Sequence, residues 1–318
     1  MYHRHSPKGW DHWSRVMSYR VGLLRKDATF VPEVRSPTVR RRELGALLRK
    51  LRTEQGLTVE QAAERLMVSA SKLSRMETGH GVATPRDIRD LCELYRVTDE
   101  AERERMMQLG REAKQSAWYQ SYDLHDFETY VGLEEAAVGL KYYQSTIVPG
   151  LLQTADYTRA MNEVVVPALT PEQINENIEI RLRRQQLLAR DPPLRIWAVC
   201  DEAALHRIVG GPAVMAAQLD RLLEVASLPA ANITIQVIPF HVGAHPAMAG
   251  TFNILEFFET MPSVVYVEGL LGRYLVERHN EVIRYEQVFD QLQAVALTPD
   301  ASVELVARIA AEHKSSTG

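Results

Sequence analysis

The segment from Leu57 to Gly79 constrains the fold more than any other part of the sequence. Thr58 and Gln61 have the spacing of a capping box, which predicts a helix after Thr58, and Ser69 is the next residue suited to cap a helix. Both predicted helices carry apolar residues on one face, namely Val59, Ala62, Ala63, Leu66, Leu73 and Met76. Two short amphipathic helices joined by a tight turn form the unit that places a recognition helix in the major groove of DNA.

Further predicted helices flank this segment. Upstream, a helix over about 39–55 has a leucine-rich face and a basic face that includes Arg40, Arg41 and Arg42. Downstream, Pro85 is suited to the first turn of another helix. The sequence therefore predicts an all-α domain over residues 37–112. The residues alone also leave open a plain helical bundle with a basic surface, because helix pairs with tight turns are common.

A specific set of residues at fixed spacing lies in residues 38–110. Its members are Leu51-Arg52, Gly56-Leu57-Thr58, Gln61, Ala62-Ala63, Leu66, Val68-Ser69, Leu73-Ser74-Arg75 and Glu77-x-Gly79. In these residues the chain resembles the lambda-repressor-like, xenobiotic-response-element (XRE) type of helix-turn-helix. The resemblance implies an ion pair between Arg52 and Glu77, which would tie the first helix to the end of the recognition helix.

The same resemblance implies a set of DNA contacts. The base-contact positions of the family correspond to Ala70, Ser71, Lys72 and Arg75, and its phosphate-contact positions correspond to Thr58, Val59 and Thr78. The family often has glutamine where this chain has Val59 and Ala70, so Val59 offers phosphate only its backbone N–H. We also expect Arg40, Arg41 and Arg42 to lie near the DNA backbone.

Charge is distributed unevenly along the 318 residues. Residues 1–112 carry 22 Lys and Arg against 16 Asp and Glu, a net charge of +6, whereas residues 113–318 carry 15 against 25, a net charge of −10. The basic part suits a polyanion and the acidic part does not. We divide the chain into a poorly ordered basic extension over 1–36, a helix-turn-helix domain over 37–112 and an acidic α/β domain over 113–318. The extension is alternatively a basic arm that contacts phosphate.

The acidic part alternates between helical and strand-like periodicity. Helices are predicted over 127–145, 154–164, 171–190, 212–227, 280–296 and 299–313, with a turn over 148–153. Strands are predicted over 194–200, 233–238, 251–258, 263–268 and 274–278. The expected fold class is α+β, with an all-α lambda-repressor-like domain followed by a mixed α/β domain that contains a small sheet of about five strands.

Residues 118–305 contain a second ordered series of motifs. They are Val148-Pro-Gly-Leu-Leu-Gln153-Thr-x-x-Tyr157, Arg181-x-x-Arg184-Gln185, Asp201-Glu202-x-x-Leu205-x-Arg207, Val209-Gly-Gly-Pro212, Met215-x-x-Gln218-Leu219, Val237-x-Pro239, Gly243-x-His245-Pro246 and Val265-Tyr266-Val267-Glu268. This part resembles the C-terminal domain of WhiJ-like actinobacterial regulators, described as antitoxin-like regulators of toxin–antitoxin-type systems. Because genes of that family commonly lie beside one for a small partner protein, the resemblance implies such a partner.

Four residues of the acidic part are candidates for a ligand or partner surface: Arg181, Arg184, Asp201 and His245. The alternative is structural, with ion pairs among the first three and a loop hydrogen bond for His245. His241 and His245 lie four residues apart in a loop without further evident ligands, so we predict no metal site, no cofactor and no catalytic residue. Cys92 and Cys200 are expected to be buried thiols.

The sequence as a whole predicts a regulator and not an enzyme. We expect operator binding through residues 58–78, as a homodimer on two half-sites about one helical turn apart, with activity tuned by a small ligand or partner protein at the acidic domain. The alternative is an antitoxin-like protein-interaction module that neutralises or senses a small partner, with DNA binding secondary. The absence of a secretory signal and of a long apolar run predicts a cytoplasmic protein, associated with the nucleoid when bound to DNA.

Overall fold

Five helices fill the N-terminal part of the structure, a computed structural model that describes residues 36–124, 127–165, 169–227, 232–258, 261–269 and 272–315. They are α1 (Pro37–Glu54), α2 (Val59–Arg65), α3 (Ala70–Glu77), α4 (Pro85–Leu94) and α5 (Glu100–Glu112). The predicted extension over 1–36 lies outside the described residues apart from Ser36, which precedes α1.

Local sequence signals set where these helices begin. Thr58 and Gln61 form the predicted capping box: the Gln61 N–H donates to Thr58 Oγ1 at 3.2 Å, and the Thr58 N–H donates to Gln61 Oε1 at 2.9 Å. Ser69 accepts from the Lys72 N–H in the same way. The small residues Ala62 and Ala63 are buried, as are the larger apolar residues around them, chiefly Leu44, Leu48, Leu73, Met76, Ile88 and Leu91. Side chains of this size let α2 and α3 pack closely on α1.

Among the residues that the structure describes, a six-stranded mixed sheet forms the centre of the C-terminal part. Its strands are β1 (Gly139–Gln144), β2 (Arg195–Asp201), β3 (Ile233–Ile238), β4 (Phe252–Glu256), β5 (Val264–Gly269) and β6 (Gly272–Val276). The spatial order is β3-β2-β1-β4-β5-β6, in which β1, β2 and β3 are parallel and the remaining pairs are antiparallel. The predicted α+β fold class is confirmed, with six strands in place of about five.

The additional strand is β1, and here the sequence prediction was wrong. Residues 139–144 were expected to continue a helix over 127–145, but α6 (Phe127–Ala136) ends before them and they pair with β2 on one side and β4 on the other. Tyr142 lies opposite Ala198 and Asn253 in these pairings. A strand paired on both edges and buried on both faces lacks the polar–apolar alternation that identifies half-buried strands.

Helices cover both faces of the sheet. Those that follow α6 are α7 (Ala155–Val165), α8 (Pro171–Gln185), α9 (Ala203–His206), α10 (Pro212–Ala226), α11 (His279–Val295) and α12 (Pro299–Ser315). On one face the core includes Leu140, Tyr142 and Ile196, packed against α10 and α12; on the other, Tyr143 and Phe252 pack against α11. Successive residues of β1 therefore belong to different cores, as strand geometry requires.

The N-terminal end of α1 packs against α6 and the segment before it. Ser36 Oγ donates to the carbonyl of Gly132 at 2.6 Å, and the hydroxyls of Thr38 and Tyr119 lie 3.1 Å apart. Further along α1, Arg42 forms an ion pair with Glu277, which follows β6. These contacts join the helical part to the sheet part. Among the described residues no helix is both long and apolar enough to cross a membrane.

Candidate nucleic-acid interface

Helices α2 and α3 form the candidate interface, and the turn between them has an unusual backbone. Met67 has φ 54°, in the left-handed region that favours glycine, and its side chain is 92% exposed. The turn brings Leu73 and Met76 of α3 into the core at 0% and 3% exposure. Burial of this face leaves the opposite face of α3 in solvent, where Ser71 and Arg75 are exposed.

A buried ion pair holds the end of α3 against α1. Arg52 Nε donates to Glu77 Oε1 at 2.7 Å and Nη2 donates to Oε2 at 2.9 Å, while Nη1 donates to the carbonyl of Leu57 at 2.7 Å. The two charged side chains are 9% and 4% exposed. The hydrogen bonds to Glu77 raise the pKa of Arg52, so the guanidinium stays charged. One side chain thereby fixes α1, the approach to α2 and the C-terminal end of α3.

Lys72 has a partner that sequence reasoning missed. Its Nζ donates to Asp87 Oδ1 at 2.6 Å, and the other oxygen of Asp87 accepts from the N–H and hydroxyl of Thr84. Burial alone would raise the pKa of Asp87, but the hydrogen bonds from Lys72 and Thr84 lower it. The Thr84-x-x-Asp87 capping box was the available signal for this carboxylate. The Lys72 side chain is still 41% exposed, so its ammonium group keeps N–H donors for DNA while it contacts Asp87.

The other predicted contact residues divide into exposed and partly packed side chains. Arg75 Nη1 donates to Ser71 Oγ at 3.2 Å, so these two residues form one polar strip on the exposed face of α3. The Thr78 hydroxyl is exposed but donates back to the carbonyl of Ser74 at 2.8 Å. Thr58 is exposed at the start of α2. Val59 and Ala70 are partly buried against the apolar core of the helical part.

Of the three arginines that we expected near the DNA backbone, Arg40 and Arg42 contact carboxylates of the protein. Arg40 forms ion pairs with Glu43 at 3.0 Å and Glu112 at 2.8 Å. Arg41 donates to Thr38 Oγ1 at 3.1 Å. Arg42 is 8% exposed, and burial, with a smaller effect of Arg41, lowers its pKa to about 10. Helical periodicity predicts which face of α1 carries an arginine, but it does not predict which distant residue packs against that face. For Arg42 this residue is Glu277.

The net positive charge of the helical part is smaller than that of residues 1–112, which is +6. Residues 37–112 carry 15 Lys and Arg against 13 Asp and Glu, a net charge of +2. Much of the affinity for a polyanion therefore has to come from local placement, such as the strip of Ser71 and Arg75.

The four residues predicted as one ligand or partner surface lie in two separate clusters. Arg184 donates to both oxygens of Glu134 at 2.6 and 2.8 Å, beneath the sheet face that carries Tyr142. His245 lies on the opposite face, 3.5 Å from Asp201 and 3.3 Å from the Tyr143 hydroxyl. Arg181 shares helix α8 with Arg184. The four residues therefore do not form a single surface, and Arg184 pairs with Glu134 and not with Asp201, because neighbouring strand residues point to opposite faces of the sheet.

Metal ligands and cysteine thiols were the other side chains that the sequence singled out. Within the part of the chain that the structure describes, no three His, Cys, Asp or Glu side chains are grouped so that they could hold a metal ion. Cys92 and Cys200 are both buried and free, and burial raises the pKa of each thiol.

The capped helix pair, the braced recognition helix and its exposed polar strip define a helix-turn-helix protein. The family described as "Helix-turn-helix domain" matches residues 43–106. The family described as "Domain of unknown function (DUF5753)" matches residues 127–308, more than half of the chain, and the chain belongs to this family. Searches of curated proteins and of solved structures gave no significant match. The helix-turn-helix supports a DNA-binding regulator and favours regulation over catalysis.

Proposed function

We propose that this protein is a sequence-specific transcriptional regulator of the XRE type that binds its operator through the exposed face of α3. The proposal rests on one observation above all: Ser71 and Arg75 form an exposed polar strip on a helix whose other face is buried. An arginine at such a position suits bidentate hydrogen bonding to O6 and N7 of guanine, and a serine hydroxyl suits either base type.

Lys72 has a different role in this proposal. Its amine lies 2.6 Å from the Asp87 carboxylate and keeps further N–H donors, so Lys72 can contact Asp87 and DNA together. We assign Lys72 to phosphate or to a base edge beside Arg75. Thr58, Val59 and Thr78 are assigned to phosphate, with Val59 contributing its backbone N–H. Of the three arginines expected near the DNA backbone we retain Arg41, because Arg40 and Arg42 are held by carboxylates.

The C-terminal part is proposed to tune DNA binding, in a cytoplasmic homodimer that occupies two half-sites. Support comes from the contacts that join α1 to this part, namely Ser36 with Gly132 and Arg42 with Glu277. A small ligand or partner protein that moves α6 or Glu277 would act on α1 and, through Arg52, on α3. The WhiJ-like resemblance adds an actinobacterial origin and a small partner protein to this proposal.

The test begins with selection of bound sequences from a random duplex library by the purified full-length protein. Affinity for the selected duplex is then measured at constant salt for the parent, Arg75→Ala, Lys72→Ala and the double variant. Arg75→Ala should weaken binding by about 1–3 kcal/mol and relax the base preference at one position. Lys72→Ala should weaken binding by a similar factor for all sequences. It should also reduce the slope of log affinity against log salt concentration by about 1, the contribution of one phosphate contact.

Arg86→Ala is the matched control, because Arg86 is an exposed arginine on α4 that pairs with Asp90 on the same helix. Its affinity should equal that of the parent. If Arg75→Ala and the double variant bind the selected duplex as the parent does, α3 is not the recognition helix. A protein that selects no sequence but co-purifies with a small protein would favour the antitoxin-like alternative.

A further inference from the structure

The outer edge of β6 has no partner among the residues that the structure describes. The strand order ends at β6, which pairs only with β5, and no backbone hydrogen bond within the described ranges joins Gly272–Val276 to another element. The edge at β3 is different: the Val237 N–H donates to Ser302 Oγ at 3.0 Å, and the Val237 carbonyl accepts from the Leu297 N–H at 2.9 Å. The edge of β6 is therefore open where that of β3 is covered.

The strand β6 lacks most of the features that protect edge strands from pairing. Proteins usually protect such strands with proline, lysine or a bulge. The sequence Gly272-Arg-Tyr-Leu-Val276 contains neither proline nor lysine, and its register with β5 is unbroken. Its tyrosine and valine favour strands, and the side chain of Tyr274 is 58% exposed. Such an edge is suited to accept another strand through main-chain hydrogen bonds.

The sequence around β6 is complementary to itself when two copies run antiparallel. If Leu275 lies opposite Leu275 of a second copy, Arg273 of each copy lies opposite Glu277 of the other. Opposite charges that face each other across two strands stabilise their pairing. The Arg273 and Glu277 side chains are 39% and 44% exposed, so each can contact a further partner besides the one in its own chain. A shift by two residues would instead place Arg273 opposite Leu275 or His279.

We propose that two copies of this chain associate by antiparallel pairing of β6 about a two-fold axis at Leu275, which joins their sheets into one. Each contact then occurs twice, as in other two-fold symmetric interfaces. The proposal rests on the homodimer of the proposed function and names its interface. Because Glu277 also pairs with Arg42 of α1, this interface lies close to the helical part and would hold two helix-turn-helix units in a fixed relation for two half-sites.

The experiment is cysteine cross-linking of the full-length protein without DNA, with diamide as the oxidant and a non-reducing gel as the readout. Directly opposed residues of antiparallel strands have Cβ atoms about 4.5–5.5 Å apart, close to the separation in a disulfide. Leu275→Cys should therefore form a covalent dimer in most chains. The parent should not cross-link, because Cys92 and Cys200 are buried, and it should sediment as a dimer.

Tyr274→Cys is the matched control, because Tyr274 is more exposed than Leu275 and random collision would link it at least as fast. In the proposed register residue 274 of one copy lies opposite residue 276 of the other, and the two residues 274 are diagonal neighbours about 7–8 Å apart. Tyr274→Cys alone and Val276→Cys alone should therefore cross-link poorly. An equimolar mixture of these two variants should form mixed covalent dimers.

Three results would overturn the proposal: a parent that sediments as a monomer, equal cross-linking of Leu275→Cys and Tyr274→Cys, or cross-linking of Tyr274→Cys in preference, which would indicate another register. If reduced Leu275→Cys melts below the parent, the mixture of Tyr274→Cys and Val276→Cys provides the same test. A protein that selects an operator but does not cross-link in this pattern keeps the proposed function and loses this interface. A protein that cross-links as expected but selects no sequence loses the proposed function and keeps the interface.

Discussion

Arg52→Ala tests the brace on which the candidate interface depends. The substitution removes three hydrogen bonds, two to Glu77 and one to the Leu57 carbonyl, and leaves a carboxylate whose side chain is 4% exposed without its cation. Removal of one partner of a buried pair costs about 3–5 kcal/mol. A loss of about 3 kcal/mol raises the equilibrium constant for local opening of the helical part about 150-fold, because each 1.4 kcal/mol changes an equilibrium constant tenfold.

Hydrogen exchange is the appropriate assay, because the loss should be confined to the helical part and a global melt would average it with the sheet. Peptides that cover α1 and α3 should exchange about 150-fold faster in Arg52→Ala under conditions in which exchange reports the opening equilibrium. Peptides from β1 and α12 should be unchanged. Lys50→Ala is the matched control: its pair with Glu54 is exposed, with atoms 3.8 Å apart, and should contribute less than about 1 kcal/mol.

A double replacement separates the loss of the pair from the cost of an orphaned charge. Arg52→Met combined with Glu77→Leu removes both charges and keeps apolar volume, and such replacements are often neutral or stabilising. We therefore expect the double variant to recover most of the protection that Arg52→Ala loses. If α1 and α3 of Arg52→Ala exchange hydrogen at the same rates as in the parent, the pair of Arg52 and Glu77 does not hold the recognition helix.

Two further predictions concern the backbone of the helix-turn-helix. Met67→Gly should stabilise the helical part by about 0.5–1 kcal/mol, as measured by denaturant unfolding. The reason is that φ 54° suits glycine and that removal of a side chain that is 92% exposed loses little packing. Met67→Ala keeps the backbone strain and should therefore show no gain in stability. Gly45→Ala should destabilise by about 1–3 kcal/mol despite the better helix propensity of alanine, since its Cβ would lie 2.5 Å from the Met76 carbonyl oxygen. In the same assay Gly110→Ala should cost less, because its Cβ would meet only the movable end of Ile88; equal losses at the two glycines would show that α1 and α3 can separate cheaply.

Local sequence was sufficient for the helix-turn-helix. The capping residues Thr58, Gln61 and Ser69 act within one helical turn, so their hydrogen bonds follow from spacing alone. The spacing of Leu73 and Met76 likewise fixed which face of α3 is buried and, by exclusion, which face carries Arg75. Most strands and helices of the C-terminal part were also predicted within a few residues.

Tertiary structure decided the features that depend on distant partners. Residues 139–144 form a strand because β2 and β4 pair with them, and their own periodicity did not indicate it. Arg42 is held by Glu277 and Lys72 by Asp87, partners that lie 235 and 15 residues away in the chain. The sequence alone determined which helices form and which faces they bury, because those interactions span one turn. Only the packed structure determined which charges are neutralised, as in the buried pair of Arg184 with Glu134, because such partners are brought together by tertiary contacts.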